Sequence, residues 1–156
     1  MTCVLWRIAA VTPAYSADDL SGKGAETTGG RWNLRGTPVV YTSANIALAS
    51  LETLVHLGAT ALPLNRYLVR IDVPDDVYAA RTVLDPAPAG WDADPYGVPS
   101  VRAGDAWCRG GTAALLEVPS VLVPEECNVL INPRHADAAR IVATMVRKWL
   151  VDPRVR

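Results

Sequence analysis

GGRWNLRGTPVVYTSANIALASLETLVHLG, residues 29–58, carries the punctuation from which the fold is read. Gly29-Gly30 permits a sharp turn that leaves the backbone open to a ligand. Gly36-Thr37-Pro38 then turns the chain into Val39-Val40-Tyr41-Thr42, a short run of strand formers. Ser43 stands where an N-cap is wanted, because Ile46, Leu48, Leu51, Leu54, Val55 and Leu57 follow with helical spacing. Gly58 is a natural C′ stop for that helix. One turn–strand–helix unit thus presents a cation (Arg31), a phenol (Tyr41) and a carboxylate (Glu52), a set of groups that points to an enzyme.

Upstream, Cys3 to Ala9 (CVLWRIA) reads as a first strand. Residues 16–30 are small, polar and glycine-rich, and read either as a surface loop or as a loop that touches ligand. Downstream, Tyr67 to Val73 alternates apolar and polar residues as a half-buried strand does, and Pro74-Asp75 ends it. Residues 85–104, rich in proline, glycine and aspartate, read as a long irregular connection bordering a site. Leu115–Val118, Ser120–Val123 and Val129–Ile131 are predicted as short strands parted by Pro119 and Pro124. Ala136 to Leu150 is predicted as a closing helix, with Ala138, Ile141, Val142, Met145 and Trp149 on one face and Arg147 and Lys148 in the last turn. The order of elements favours an α+β fold over regular βαβ units, and the length suits a single domain over 1–156 with its own core.

Composition narrows the function classes. Fifteen basic and sixteen acidic residues leave a net charge of −1, so no general field attracts nucleic acid or an anionic membrane. Arg31 with Arg35 is the local exception. Cys3, Cys108 and Cys127 are far apart, and His56 and His135 are isolated, so no metal spacing exists and reduced thiols in a cytoplasmic protein are expected. The N-terminus has no signal-peptide pattern, and no apolar run approaches a membrane span. There is no GxGxxG or Walker loop.

Each chemical candidate has a structural alternative. Glu52 borders the apolar stripe of its own helix, either as a solvated flank or as a carboxylate facing a cleft. Arg31 is a surface arginine or a bidentate grip for phosphate or carboxylate. Tyr41 is a core residue with a satisfied hydroxyl or a flat face for a planar ring. No Gly-x-Ser-x-Gly elbow surrounds Ser120, so it suits ligand binding or backbone capping better than nucleophilic attack. Asn128 and Asn132 bracket the last short strand, and Asn132-Pro133 is a turn signal. His135 starts or caps the closing helix, and His56 lies in the last turn of the first.

Taken together, GGRWNLRGTPVVYTS (29–43), ALASLETLVHL (47–57), GDAW (104–107) and LLEVPSVLVPEECNVLINPRHAD (115–137) resemble the RES-domain family, the toxin half of a bacterial toxin–antitoxin pair. The family takes its name from characteristic Arg, Glu and Ser residues. The resemblance implies a fold similar to ADP-ribosyltransferases of the diphtheria-toxin type, with NAD+ as substrate and no further cofactor. It implies Arg31, Tyr41 and Glu52 as the catalytic group and Ser120 and Asn132 as substrate-binding residues. The implied reaction breaks the nicotinamide–ribose bond, by hydrolysis or phosphorolysis, with transfer of ADP-ribose to a protein as the alternative. A catalytically inactive antitoxin-binding module is the reading from another class. The implied partner is a helix-turn-helix antitoxin of the Xre-like kind, and a homo-oligomer is compatible with the sequence.

Overall fold

A computed structural model describes residues 1–58 and 64–155. The elements run β1 (Thr2–Ala10), α1 (Lys23–Thr28), β2 (Val40–Ser43), α2 (Ile46–Leu57), β3 (Arg66–Pro74), α3 (Asp75–Ala79), β4 (Thr82–Val83), α4 (Val98–Gly110), β5 (Leu115–Pro119), β6 (Cys127–Ile131) and β7 (Val142–Lys148). Short 3-10 turns cover Ala136–Arg140 and Pro153–Val155. The α+β expectation holds. All seven strands join one sheet in the order β4-β5-β6-β2-β1-β3-β7, antiparallel except for β4 against β5.

Alternation along the strands sends apolar residues to both faces. Leu5, Val40, Val69, Ile71, Leu115, Val129 and Ile131 build the core on one face. The opposite face carries two separate clusters. Ile8 and Leu68 pack under Ala49, Leu54 and Leu57 of α2, with Trp149. Leu116, Val118 and Leu130 pack against Trp32, Val39, Trp107 and Cys108, with Tyr41 and Trp91 at the margin. Between the two clusters the register lines up Trp6, Ser43, Asn128 and Val118 in one row across β1, β2, β6 and β5. That row contributes the polar side chains of Ser43 and Asn128 beside the two apolar clusters, and it continues through Trp6 to Arg70 on β3.

Several sequence expectations change. Asn45, not Ser43, caps α2: its side chain accepts from the Leu48 amide at 2.8 Å, while Ser43 ends β2. In α2, Leu48 and Ala49 are buried, whereas Leu51 and Val55 face outward. Residues 16–30 contain the short helix α1. The connection across 85–104 gives way at Val98 to α4, which takes Pro99 into its first turn, where the missing N–H costs nothing. The buried side of α4 is Ser100, Gly104, Asp105, Trp107 and Cys108, so no apolar stripe announces the helix.

Ser120–Val123 is a turn and not a strand. The Ser120 hydroxyl accepts from the amides of Leu122 and Val123, and Pro124 has no N–H to give a ladder. The closing helix is also overturned. After the 3-10 turn, which His135 does cap through Nδ1, the chain runs as β7 along β3. Ile141, Val142, Thr144 and Val146 are β-branched, and β3 offers an unpaired edge for them. A register shift opposite Leu68/Val69 then swaps sides, so Ile141 and Trp149 join clusters on opposite faces of the sheet. Arg147 and Lys148 end an edge strand rather than a helix. Among the described residues, no helix is long and apolar enough to cross a membrane.

Candidate functional site

Glu52 projects from α2 to the row that separates the two clusters. Its Oε1 accepts two hydrogen bonds, from Ser120 Oγ and from Asn128 Nδ2, each 2.8 Å long. Ser120 is fully buried, and its oxygen also accepts the two amides of its own turn. Its proton is therefore committed to Glu52 and its lone pairs to the backbone, which leaves no nucleophile. Asn128 in turn accepts from Ser43 Oγ at 2.8 Å. Bonds from neutral donors to a carboxylate are charge-assisted and stronger than neutral ones. Among the described residues Oε2 of Glu52 has no hydrogen-bond partner within the protein, and the side chain is partly exposed.

Tyr41 lies two residues before Ser43 on the same side of β2, opposite Leu130. Its hydroxyl donates to Asn33 Oδ1 at 2.7 Å and accepts from the Trp32 amide at 3.0 Å. Burial pushes the phenol above its ordinary range, so the proton stays on. What Tyr41 offers is its ring, with its hydroxyl fastening the glycine turn. Gly30 is required there, because a Cβ would stand 2.7 Å from the Tyr41 hydroxyl oxygen.

Arg31 follows on the same turn. One of its guanidinium nitrogens donates to the carbonyls of Trp91 and Ala93, both at 2.8 Å, and the Tyr96 ring centroid lies 5.9 Å away. Trp91 stacks on Trp32 with centroids 6.3 Å apart. Arg31 thus fastens the chain at Trp91 and Ala93 beside the turn.

The structure joins Glu52 directly to Ser120, and links Arg31 to Tyr41 through the neighbouring Trp32 amide. Asn132 stands apart. It is four residues beyond Asn128, roughly 13 Å along a strand, and all its polar groups serve the backbone. Its Nδ2 donates to Cys108 O, its Oδ1 accepts from the Arg134 amide, and its N–H donates to Ala114 O. It lines a cavity of about 310 Å³ with Thr37, Cys108, Arg109 and Arg134. A second cavity, about 540 Å³, separates the glycine turn from the start of α4 and is bordered by Arg35, Tyr96 and Arg102. Glu52 lines neither of these two cavities. Asn128 is the residue that sequence reasoning passed over. Its alternation with Leu130 is shared by Asn132, and only the pairing with Ser43 across β2 and β6 sets it apart.

This is an α+β protein whose defining feature is a glutamate on a helix, clamped from the sheet by a serine and an asparagine. A family model for the RES domain matches residues 4–153, and the chain belongs to that family. The chain is 56% identical over 157 residues, 99% of its length and 98% of the other's, to a protein of Sphingobium sp. (strain YBL2) named Prs ADP-ribosylating toxin. It is 35% identical over 98% of its length and 99% of the other's to Toxin Res of Yersinia enterocolitica. Its fold is similar to a chain of the Mycobacterium tuberculosis MbcT–MbcA toxin–antitoxin complex, with a TM-score of 0.65 at 19% identity over 94% of this chain and 85% of that one. The class is therefore the RES-domain toxins.

Proposed function

We propose that this chain is an NAD+-consuming toxin enzyme of a toxin–antitoxin system that transfers ADP-ribose to a protein acceptor. The observation that carries the reading is the Glu52 carboxylate, with one oxygen held by Ser120 and Asn128 and the other open to the face of the sheet. Breaking the C1′–N bond sends the electron pair out with nicotinamide, whose ring becomes neutral, and leaves cationic character on the ribose. An oriented carboxylate stabilises that charge and accepts from a ribose hydroxyl. The acceptor then forms the new bond at C1′ and gives up its proton. Tyr41 supplies a flat wall for the departing ring, and the free part of the Arg31 guanidinium faces the phosphates.

Protein as acceptor is supported by the name of the Sphingobium relative, which matches across nearly the whole chain. Release to water or to inorganic phosphate shares the same first step and is the second reading. An antitoxin partner is supported by the likeness to the MbcT–MbcA complex, and we propose the Xre-like kind, covering the face near Glu52 in the cytoplasm.

The test is purified protein with labelled NAD+, alone, with phosphate, and in a lysate, following free nicotinamide and labelled bands. Nicotinamide release with one discrete labelled protein is expected, and Glu52→Gln should abolish both while the protein stays folded. Release that rises with phosphate and marks no band would replace transfer by phosphorolysis. Absence of nicotinamide from folded wild type would overturn the enzyme reading, and undiminished growth arrest by Glu52→Gln would leave the binding-module reading.

A further inference from the structure

We infer that Ser43 and Asn128 form a positioning pair that decides which oxygen of Glu52 meets the substrate, an inference that rests on the reading of Glu52 as the group facing the ribose. The direction of every bond in the chain follows from the carboxylate. An ionised Glu52 only accepts, so Asn128 must turn its Nδ2 toward it. The amide oxygen of Asn128 then faces Ser43, and the Ser43 hydroxyl must donate. Rotating the Asn128 amide by half a turn would set oxygen against oxygen at the Glu52 end, whereas the Ser43 hydroxyl would turn to accept, so the carboxylate alone fixes the direction.

The sheet holds this relay rigidly. Ser43 and Asn128 are paired across β2 and β6, and Ser43 is 5% exposed. The ordinary use for a serine at the start of a helix is absent here, because Asn45 caps α2. With Ser120 donating from the other side, Oε1 carries two bonds and Oε2 carries none from the described residues. The carboxylate is thereby fixed in rotation, and Oε2 is the oxygen left for a ribose hydroxyl. Neither Ser43 nor Asn128 need touch substrate; both act through Glu52.

Steady-state nicotinamide release by the full chain tests the pair. Asn128→Ala removes a bond to a charged group and should lower kcat roughly 10- to 100-fold, with KM within about 3-fold. Ser43→Ala removes a neutral bond and should lower kcat roughly 2- to 10-fold, and Ser43→Thr should recover most of that. The double variant should be no slower than Asn128→Ala, since Ser43 has no route to Glu52 except through Asn128. Losses that multiply in the double variant, or that fall on KM alone, overturn the pair. A second readout needs no turnover. In isotope-labelled protein the Asn128 side-chain amide, held at both ends, should exchange slowly with solvent and become faster in Ser43→Ala. An amide unchanged by Ser43→Ala overturns the proposal even if wild type releases nothing, whereas silence of the wild type with a responsive amide sinks only the functional reading.

Discussion

Gly104 and Gly110 lie on the same helix, α4, and replacing each with alanine should change stability in opposite directions. A Cβ at Gly104 would stand 1.9 Å from the Trp32 carbonyl oxygen and 2.7 Å from its carbon. That neighbour is backbone, so relief requires α4 and the glycine turn to separate by about 1.5 Å before contact becomes ordinary. Alanine in place of glycine favours a helix by up to about 1 kcal/mol, while forced overpacking costs about 1–3 kcal/mol and more when backbone must move. The loss wins, leaving Gly104→Ala destabilised by roughly 1–3 kcal/mol, a melting temperature lower by about 3–10 °C for a chain of this size. At Gly110 nothing lies within 4 Å of the added carbon, and its φ is not in the left-handed region. Gly110→Ala should therefore raise the melting temperature by about 1–3 °C, through the lost freedom of the unfolded chain. Thermal melts by circular dichroism measure both. A neutral or stabilised Gly104→Ala would refute the close approach of α4 to Trp32.

Two further predictions concern the buried polar groups. Tyr41→Phe strips Asn33 Oδ1 and the Trp32 amide of their partner, which should destabilise the protein by about 1–3 kcal/mol, read in urea titrations. Some activity should survive, because the ring remains; complete loss in a folded variant would show that the hydroxyl does chemistry. Burial pushes the thiols of Cys3, Cys108 and Cys127 above their ordinary range. The unfolded chain then loses these protons first, so stability should be fully present below pH about 8.5 and decline as pH rises beyond it. Melts from pH 7 to 10 check this, and a rising curve would contradict the burial of the thiols.

Much of the fold is legible where periodicity and punctuation agree. The strands at Cys3–Ala9, Val39–Thr42 and Tyr67–Val73 and the helix ending at Gly58 all appear close to their expected places. Two elements escaped for opposite physical reasons. Helix α4 buries Ser100, Gly104 and Asp105, so its inward face looks polar in the sequence. β7 shows helical spacing at Ala138, Ile141, Val142, Met145 and Trp149, yet a 3-10 turn and a register shift, invisible in one dimension, distribute those residues over two faces. In the site, Glu52 and Ser120 were singled out and do meet. Asn128 was passed over in favour of Asn132, because choosing between them requires knowing that Ser43 and Asn128 pair across β2 and β6.

The clamp on Glu52 also sets a clock on the molecule's own synthesis. The donors lie 68 and 76 residues downstream of the carboxylate. At about 5–20 residues per second a ribosome needs roughly 4–15 s to add that length. Throughout that interval the emerging chain has its glutamate without either hydrogen-bond donor, and β2 without β6. The assembled group comes into being only as β6 closes against β2. On the proposed reading of Glu52, the held carboxylate is thus among the last features of the site to form as the chain is made.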